Sequence, residues 1–460
     1  MTGKTGRSRV LDEFYAVIKA LIEIRAQRCD DLARHLKSST VFTRANAAPK
    51  IRLSHRPVPI PVSIIGIAAQ KRTGQDSLVT PFLPQLMKLP LLCMILSVAV
   101  TGSAASPPPE FPKWSELPPL PNALGVAGPF AGIHKDTLFV GGGANFPKPI
   151  WESSKQWHDT VYVMDKYDDG YRWSKAGKLP QPTGYGATVS TRYGVICMGG
   201  NDASNTFSQV YELSWDRDQQ KLTQRSLPSL PRPCAYGSAT LAGNTIYLAG
   251  GQSGSGIDSA MRNFWSLDLT DRLEPQRFHW RQLAPWPGPN RAFNITVAAK
   301  NGEDMCVYVM SGRRQEGEDV QFLTDVWEYH TKTRTWRPCA DMPAGRMAGI
   351  GAVGDSGEIH ILGGADGSLW DKAPALGNNH PGFPLESYQF TTRTEVWKST
   401  GAMPANHVTT SALVWDGNFI IPSGEIRPRV RSPKIWAVEY SSRRARLLEL
   451  MKRRRDQPTR

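Results

Sequence analysis

Ile246-Tyr247-Leu248-Ala249-Gly250-Gly251 is a short apolar run closed by a pair of glycines, which reads as a strand ending in a tight turn. The pattern recurs at Leu138-Phe139-Val140-Gly141-Gly142-Gly143, Val195-Ile196-Cys197-Met198-Gly199-Gly200 and Ile359-His360-Ile361-Leu362-Gly363-Gly364. Two further copies, Val307-Tyr308-Val309-Met310-Ser311-Gly312 and Phe419-Ile420-Ile421-Pro422-Ser423-Gly424, carry Ser in place of the first glycine. The closing glycines stand 57, 51, 61, 52 and 60 residues apart. Such a period marks one supersecondary unit used six times.

A second register supports the first. Trp173, Trp280, Trp336 and Trp397 each precede a proline by seven residues: Pro180, Pro287, Pro343 and Pro404. An outer strand whose Trp packs between repeats, and whose Pro stops it before the next, accounts for this. Leu222 to Pro231 takes the same place without the Trp. The spacing is that of kelch repeats, each a four-stranded blade. Six Gly-pair strands are followed by only five Trp/Leu-to-Pro segments; the missing copy, Trp114 to Pro121, lies before the first. The expectation is an all-β, six-bladed kelch-type β-propeller over about 111–440, closed by an N-terminal strand that completes the last blade.

The ends read differently from this body. The chain of 460 residues has 55 Lys+Arg against 41 Asp+Glu, a formal net charge of +14. Residues 1–86 contribute +8 and residues 441–460 contribute +6, so the body is neutral. A nucleic-acid footprint belongs on a folded body, so nucleic acid is not an expected partner. From Met87 the chain reads MKLPLLCMILSVAVTGSAAS: one Lys, an apolar run from Leu89 to Val100, then small residues to Ala105. This is the layout of a secretory signal peptide over 87–105, too short to span a bilayer as a helix, which leaves no stable membrane span in the mature protein. The expected organisation is a basic extension at 1–86 that precedes the true start at Met87, a propeller in 106–440, and a basic tail at 441–460. Export, most simply to the periplasm, follows. Cys197, Cys234, Cys306 and Cys339 stand far apart without CxxC spacing, so no metal site is expected, while export leaves both disulfides and free thiols open.

In a propeller the loops leaving the Gly-pair strands converge at the axis, where a rigid scaffold places functional groups. The most chemical of them is Glu425-Ile426-Arg427-Pro428-Arg429-Val430-Arg431. A carboxylate among cations is held ionised and can act as a base, and an arginine fork suits a substrate carboxylate. A purely structural loop ion pair is the competing reading of these residues.

This loop, with Val126-Ala127-Gly128-Pro129-Phe130-Ala131-Gly132-Ile133 and Gly141-Gly142-Gly143-Ala144-Asn145-Phe146, resembles the N-acetylneuraminate epimerase family of sialic acid mutarotases. The blade carrying VAGPFAGI comes first here and late in that family, so the chain is similar to a cyclically permuted member. The resemblance implies Glu425 as proton acceptor and Arg431 as its catalytic partner on the sugar carboxylate. By looser matches it implies Arg291 as a substrate-binding residue; Arg346, which opens another inner strand, and Asn145 are further binding candidates. Ser423 and Arg427 depart conservatively from the family pattern, and Arg429 adds charge.

The implied reaction interconverts the α and β anomers of N-acetylneuraminate through the open-chain keto form, without metal or redox cofactor. His407 is a candidate acid or a structural histidine. A non-catalytic propeller binding a protein or a glycan is the competing function. A different carbohydrate enzyme on the same fold, such as a copper radical oxidase, would need a Tyr/Cys/His cluster that the channel loops do not show.

Overall fold

The computed structural model describes residues 113–440. The basic extension at 1–86, the signal-peptide segment at 87–105 and the tail at 441–460 lie outside the described residues. Within them, six four-stranded antiparallel sheets follow one another along the chain. The first blade runs Phe130–His134, Thr137–Gly141, Thr160–Tyr167 and Gly170–Lys178 from the axis outwards. The next four repeat this order, with inner strands Ala187–Ser190, Ser238–Ala242, Ile295–Asn301 and Ile350–Val353. The sixth is built from Leu413–Trp415, Asn418–Pro422 and Ile435–Glu439, and its outer strand is Trp114–Leu117. Trp114 stands opposite Val438 and Leu117 opposite Ile435, so the first strand of the propeller finishes its last sheet.

Local sequence explains the hairpins. In the first blade the turn between the two inner strands is Lys135-Asp136, and in the sixth it is Asp416-Gly417. All four residues have positive φ, the two-residue turn whose twist matches antiparallel strands. The strands between them are apolar on both sides because each blade is sandwiched by two others; Thr137–Gly141 and Val195–Met198 are buried at every residue. Phe139, Val161 and Val163 of the first blade thus pack on Val195, Cys197 and Leu213 of the second. The same contact closes the ring, where Leu138, Val140 and Met164 meet Leu413, Trp415, Ile420 and Ala437.

The outer-strand tryptophans stitch neighbouring blades together. Their indole N–H groups donate to backbone carbonyls of the preceding blade: Trp173 to Pro118 (3.0 Å), Trp280 to Pro228 (2.9 Å), Trp336 to Ala284 (2.8 Å) and Trp397 to Ala340 (3.0 Å). Each indole therefore buries its ring at a seam and satisfies its one donor there.

Two circular arrangements at one end of the axis position the site. Gly128, Tyr185, Tyr236, Phe293, Ala348 and Thr409 each enter an inner strand with positive φ. Their backbones form a closed cycle: each of Tyr185, Tyr236, Phe293, Ala348 and Thr409 donates its N–H to the carbonyl of the one before, and Gly128 donates to Thr409, at 2.6 to 3.0 Å. Glycine is required at the first position, because a Cβ on Gly128 would stand 2.5 Å from the Tyr185 ring. The non-glycine members hold a left-handed conformation that costs roughly 1–2 kcal/mol each, which the cycle of hydrogen bonds offsets. Just outside this ring, each residue after a Gly pair forms a backbone bridge to the residue before a ring member: Ala144 to Ala127, Asn201 to Gly184, Gln252 to Ala235, Arg313 to Ala292, Ala365 to Met347 and Glu425 to Val408.

Candidate active site

Above the hydrogen-bonded ring lies a cavity of about 700 Å³, within the range of small-molecule sites. Tyr185, Tyr236, Phe293 and Thr409 of the ring line its floor. Its walls come from the longest loops: Phe146, Trp151 and Lys155 from the first blade, and Trp370, His380 and Phe383 from the fifth. Arg313 and Glu425 enter from the fourth and sixth blades. On the far side of the ring the axis holds a smaller space of about 110 Å³ and, deeper among the inner strands, one of about 330 Å³.

Glu425 and Arg431 are brought together by local structure. Glu425–Arg427 and Val430–Arg431 form a tiny hairpin that turns at Pro428-Arg429, and its register sets Glu425 directly opposite Arg431. The six-residue spacing read in the sequence is therefore a cross-strand pair. Glu425 Oε1 accepts from Arg431 Nη1 at 3.2 Å and from the Arg429 backbone N–H at 2.8 Å. Arg431 Nη2 donates to the Tyr185 hydroxyl at 3.2 Å and Nε to the Ala144 carbonyl at 3.3 Å. Burial opposes the charge on Arg431, but Glu425 and Tyr185 outweigh it and hold the guanidinium charged more firmly than usual. Burial and Glu425 keep Tyr185 protonated beyond its ordinary range. Arg431 is thus a buried brace for Glu425, and the Glu425 side chain keeps 16% of its surface exposed.

The other cations of the hairpin are structural. Arg429 donates from Nε to the Ile150 carbonyl (3.0 Å) and from Nη2 to the Ser153 carbonyl (2.7 Å), and stacks on Phe146 at 3.9 Å. It clamps the first-blade loop over the cavity. Arg427 donates to the Asn378 carbonyl of the fifth-blade loop.

Three candidates stand apart from the cavity lining. Arg291 is fully buried, donating to the Ser311 carbonyl (2.9 Å) and to Asp325 (2.5 Å). Arg346 is buried between the Gly345 carbonyl (3.0 Å) and the Tyr388 hydroxyl (3.1 Å). Asn145 is buried and donates to the Gly125 carbonyl at 2.9 Å. The first two precede inner strands and spend their side chains on groups of the blade they open; Asn145 lies one residue past Ala144, on the opposite face of its strand. His407 is also turned inward. Its Nδ1 meets the Ser423 carbonyl at 2.7 Å, and burial lowers its pKa to about 4, so it stays a neutral structural histidine.

Two cavity cations have a different character. Lys155 Nζ stands 5.1 Å from the centre of the Tyr185 ring, 5.2 Å from Trp157 and 5.8 Å from Phe146. Burial lowers its pKa, with Arg431 and Arg429 adding to the effect against Tyr236 and Glu425. Arg313 lies between the rings of Phe293 and Trp370, 4.8 Å from each, and its buried Nε meets no acceptor. Lys155 escaped sequence reasoning because it sits in an irregular loop insertion with no motif around it. Arg313 was visible, as the residue after the fourth Gly pair. Cys197, Cys234, Cys306 and Cys339 are free thiols, and among the described residues no three His, Cys, Asp or Glu side chains converge as metal ligands.

Comparison with known proteins bears on this arrangement. The family model described as N-acetylneuraminate epimerase matches residues 110–222 and 227–375, more than half of the chain, and ends before the 425–431 hairpin. The chain is 27% identical over 232 residues to an N-acetylneuraminate epimerase of Pasteurella multocida (strain Pm70), a match covering 45% of this chain and 57% of that protein. It is 37% identical over 122 residues to one of Yersinia enterocolitica, covering 22% and 30%. The chain thus spans less than two thirds of the length of these relatives. Its fold is similar to that of a solved structure, YjhT, with TM-score 0.52 and 14% identity, covering 69% of this chain and 95% of that one. With the family model matching most of five blades, the chain belongs to the N-acetylneuraminate epimerase family.

Proposed function

We propose that the cavity above the ring is the active site of a sialic acid mutarotase, interconverting the α and β anomers of N-acetylneuraminate. The observation that carries this reading is the Glu425–Arg431 pair: a braced, partly exposed carboxylate on the wall of a sugar-sized cavity in a chain of this family. Glu425 takes the proton from the anomeric hydroxyl. That oxygen becomes the ketone as the bond between the anomeric carbon and the ring oxygen breaks, and the ring oxygen takes up a proton. Rotation about the carbon–carbon bond beside the ketone exposes its other face. The freed hydroxyl adds back, gives up its proton, and Glu425 returns its own to the new anomeric oxygen. Every step is a proton transfer or a reversible addition, so one base and one acid suffice.

Lys155 is the group suited to protonate the ring oxygen. It is a lysine on the cavity wall whose acidity burial raises, which makes its ammonium a better proton donor. Arg431 positions Glu425 through the hydrogen bond between them. The site of action is an exported compartment, most simply the periplasm, on the strength of the 87–105 segment; the mature N-terminus read by mass spectrometry at about residue 106 tests it.

The activity is tested by proton NMR on α-N-acetylneuraminate freshly released by a sialidase. The protein should accelerate the approach to the anomeric equilibrium over the spontaneous rate, and Glu425→Gln should remove about 10²–10⁴-fold of that acceleration. A wild-type protein that binds the sugar acid without accelerating anomerisation would make it a binding propeller instead.

A further inference from the structure

The six residues that follow the Gly pairs occupy one equivalent position, each bridged to the ring in the same way. Two are alanines, Ala144 and Ala365. Two are amides already committed within the fold: Asn201 donates to the Tyr236 hydroxyl (3.0 Å) and Gln252 to the Gly256 carbonyl (2.6 Å). The remaining two are the charged residues Glu425 and Arg313, two blades apart on the rim of the same cavity. Equivalent backbone positions with matched bridges aim side chains alike, so Arg313 enters the cavity as Glu425 does.

The two differ in what they meet. Glu425 is braced by Arg431, whereas the Arg313 guanidinium makes no side-chain hydrogen bond among the described residues, and its Nε is buried without a partner. Only two aromatic faces, Phe293 and Trp370, hold it flat. Burial lowers its pKa to about 10, a sign of how little countercharge the protein supplies. A half-buried, planar guanidinium without a countercharge is the usual receptor for a carboxylate, bound by two parallel hydrogen bonds.

We propose that Arg313, rather than the braced Arg431, binds the carboxylate of the substrate and sets the preference of this cavity for sugar acids over neutral sugars. The assignment rests on the mutarotase reading for the identity of the sugar, but the subsite it names is a matter of binding alone. The aromatic sandwich fixes the plane of the fork, and the fork in turn sets the orientation of the anomeric centre towards Glu425.

The test is calorimetric titration of the full chain with N-acetylneuraminate and, separately, with its methyl ester, which differ in the charge of one group. Wild type should prefer the acid by about 10- to 100-fold, the worth of a charge-assisted pair. Arg313→Gln should bring the two affinities within about twofold, Arg313→Lys should restore only part of the preference, and Lys155→Met should leave the preference in place. Circular dichroism and melting temperature check that each variant is folded. An Arg313→Gln protein that is folded and still prefers the acid, a preference lost instead in Lys155→Met, or a wild type that binds neither compound would each overturn the proposal. Binding of the acid through Arg313 without anomerisation would sink the mutarotase reading and leave the subsite standing.

Discussion

Ser423 Oγ accepts the Val126 N–H at 2.8 Å and shares its own proton between the carbonyls of Val126 (2.9 Å) and Ser432 (2.8 Å). One hydroxyl from the last Gly-pair position therefore holds the chain where it enters the first blade, and it does so beside Gly424 and Glu425. Ser311 does the same at the fourth blade, accepting from the Arg346 N–H (2.7 Å) and donating to the Leu323 carbonyl (3.1 Å). Both serines hold positive φ, 57° and 55°, a conformation that glycine adopts freely. These two blades keep the costlier residue because its hydroxyl fills a hydrogen-bonding role that glycine has no atoms for.

Substitution at Ser423 should separate the two effects. Ser423→Ala keeps the strained backbone and leaves the buried Val126 N–H unpaired, at a cost of about 1–3 kcal/mol. Ser423→Gly loses the same hydrogen bonds but relieves about 1 kcal/mol of strain. Melting temperatures should therefore fall in the order wild type, Ser423→Gly, Ser423→Ala. An alanine variant as stable as wild type would show that the hydroxyl contributes nothing to closure.

Tyr185 links the ring to the Glu425–Arg431 pair through its hydrogen bond to Arg431. Tyr185→Phe removes that bond while keeping the ring stacked at 5.0 Å on Tyr236. The expected result is a kcat lower by about five- to tenfold, the worth of roughly 1 kcal/mol, with KM little changed. An equal loss in KM alone would place Tyr185 on the substrate rather than on Arg431.

Lys155 predicts a pH dependence. With its pKa lowered, the ammonium proposed as proton donor should be lost at a pH below the ordinary lysine range of about 10.4, and anomerisation above the spontaneous rate should fall with it. Lys155→Met should lower the rate by about 10- to 100-fold and flatten this alkaline limb. The check is the rate measured from neutral to alkaline pH, corrected at each point for spontaneous mutarotation.

Stability should be acid-sensitive at the seam of the fourth and fifth blades. Glu328 is buried, and Arg337 (2.7 and 2.9 Å), Tyr308 (2.7 Å) and Asn301 (2.9 Å) all donate to it. Burial pushes its pKa up, but these donors outweigh burial and leave it depressed. A depressed carboxylate stabilises the fold above its unfolded pKa of about 4.3, and that contribution is lost as pH falls through the folded value. Glu328→Gln should lower stability at neutral pH by about 1–3 kcal/mol, since Arg337 is 41% exposed and keeps Glu395 as a partner, and by less at acid pH. A gap between the two proteins that does not narrow on acidification would contradict this.

The thiols give the simplest check. Cys234, Cys306 and Cys339 have pKa values raised to about 12, chiefly by burial, and Cys197 is raised well beyond its usual range for the same reason. None of the four is in a disulfide. A thiol-reactive dye should leave the buried Cys197, Cys234 and Cys306 unmodified in native protein, reach only the partly exposed Cys339, and label all four after denaturation, and reductant should not change the melting temperature.

The amino-acid order by itself determined the repeat, its count and its closure. Gly pairs at a regular period, Trp seven residues before Pro, and one outer segment displaced to the front are local signals, because strand ends and turns depend on residues a few positions apart. The Glu425–Arg431 pair was legible for the same reason: six residues across a hairpin is a local distance. What surrounds each side chain was decided only by the tertiary structure. Arg291 and Arg346 look like ligands in the chain but are spent on Asp325, Ser311, Gly345 and Tyr388, while Arg313, equally ordinary in the chain, is held free between Phe293 and Trp370. The hydrogen-bonded ring that floors the cavity joins six residues separated by a whole blade each. Whether a charge is available to a ligand depends on the partners that folding brings to it from elsewhere in the chain, and those partners leave no mark in the sequence around it.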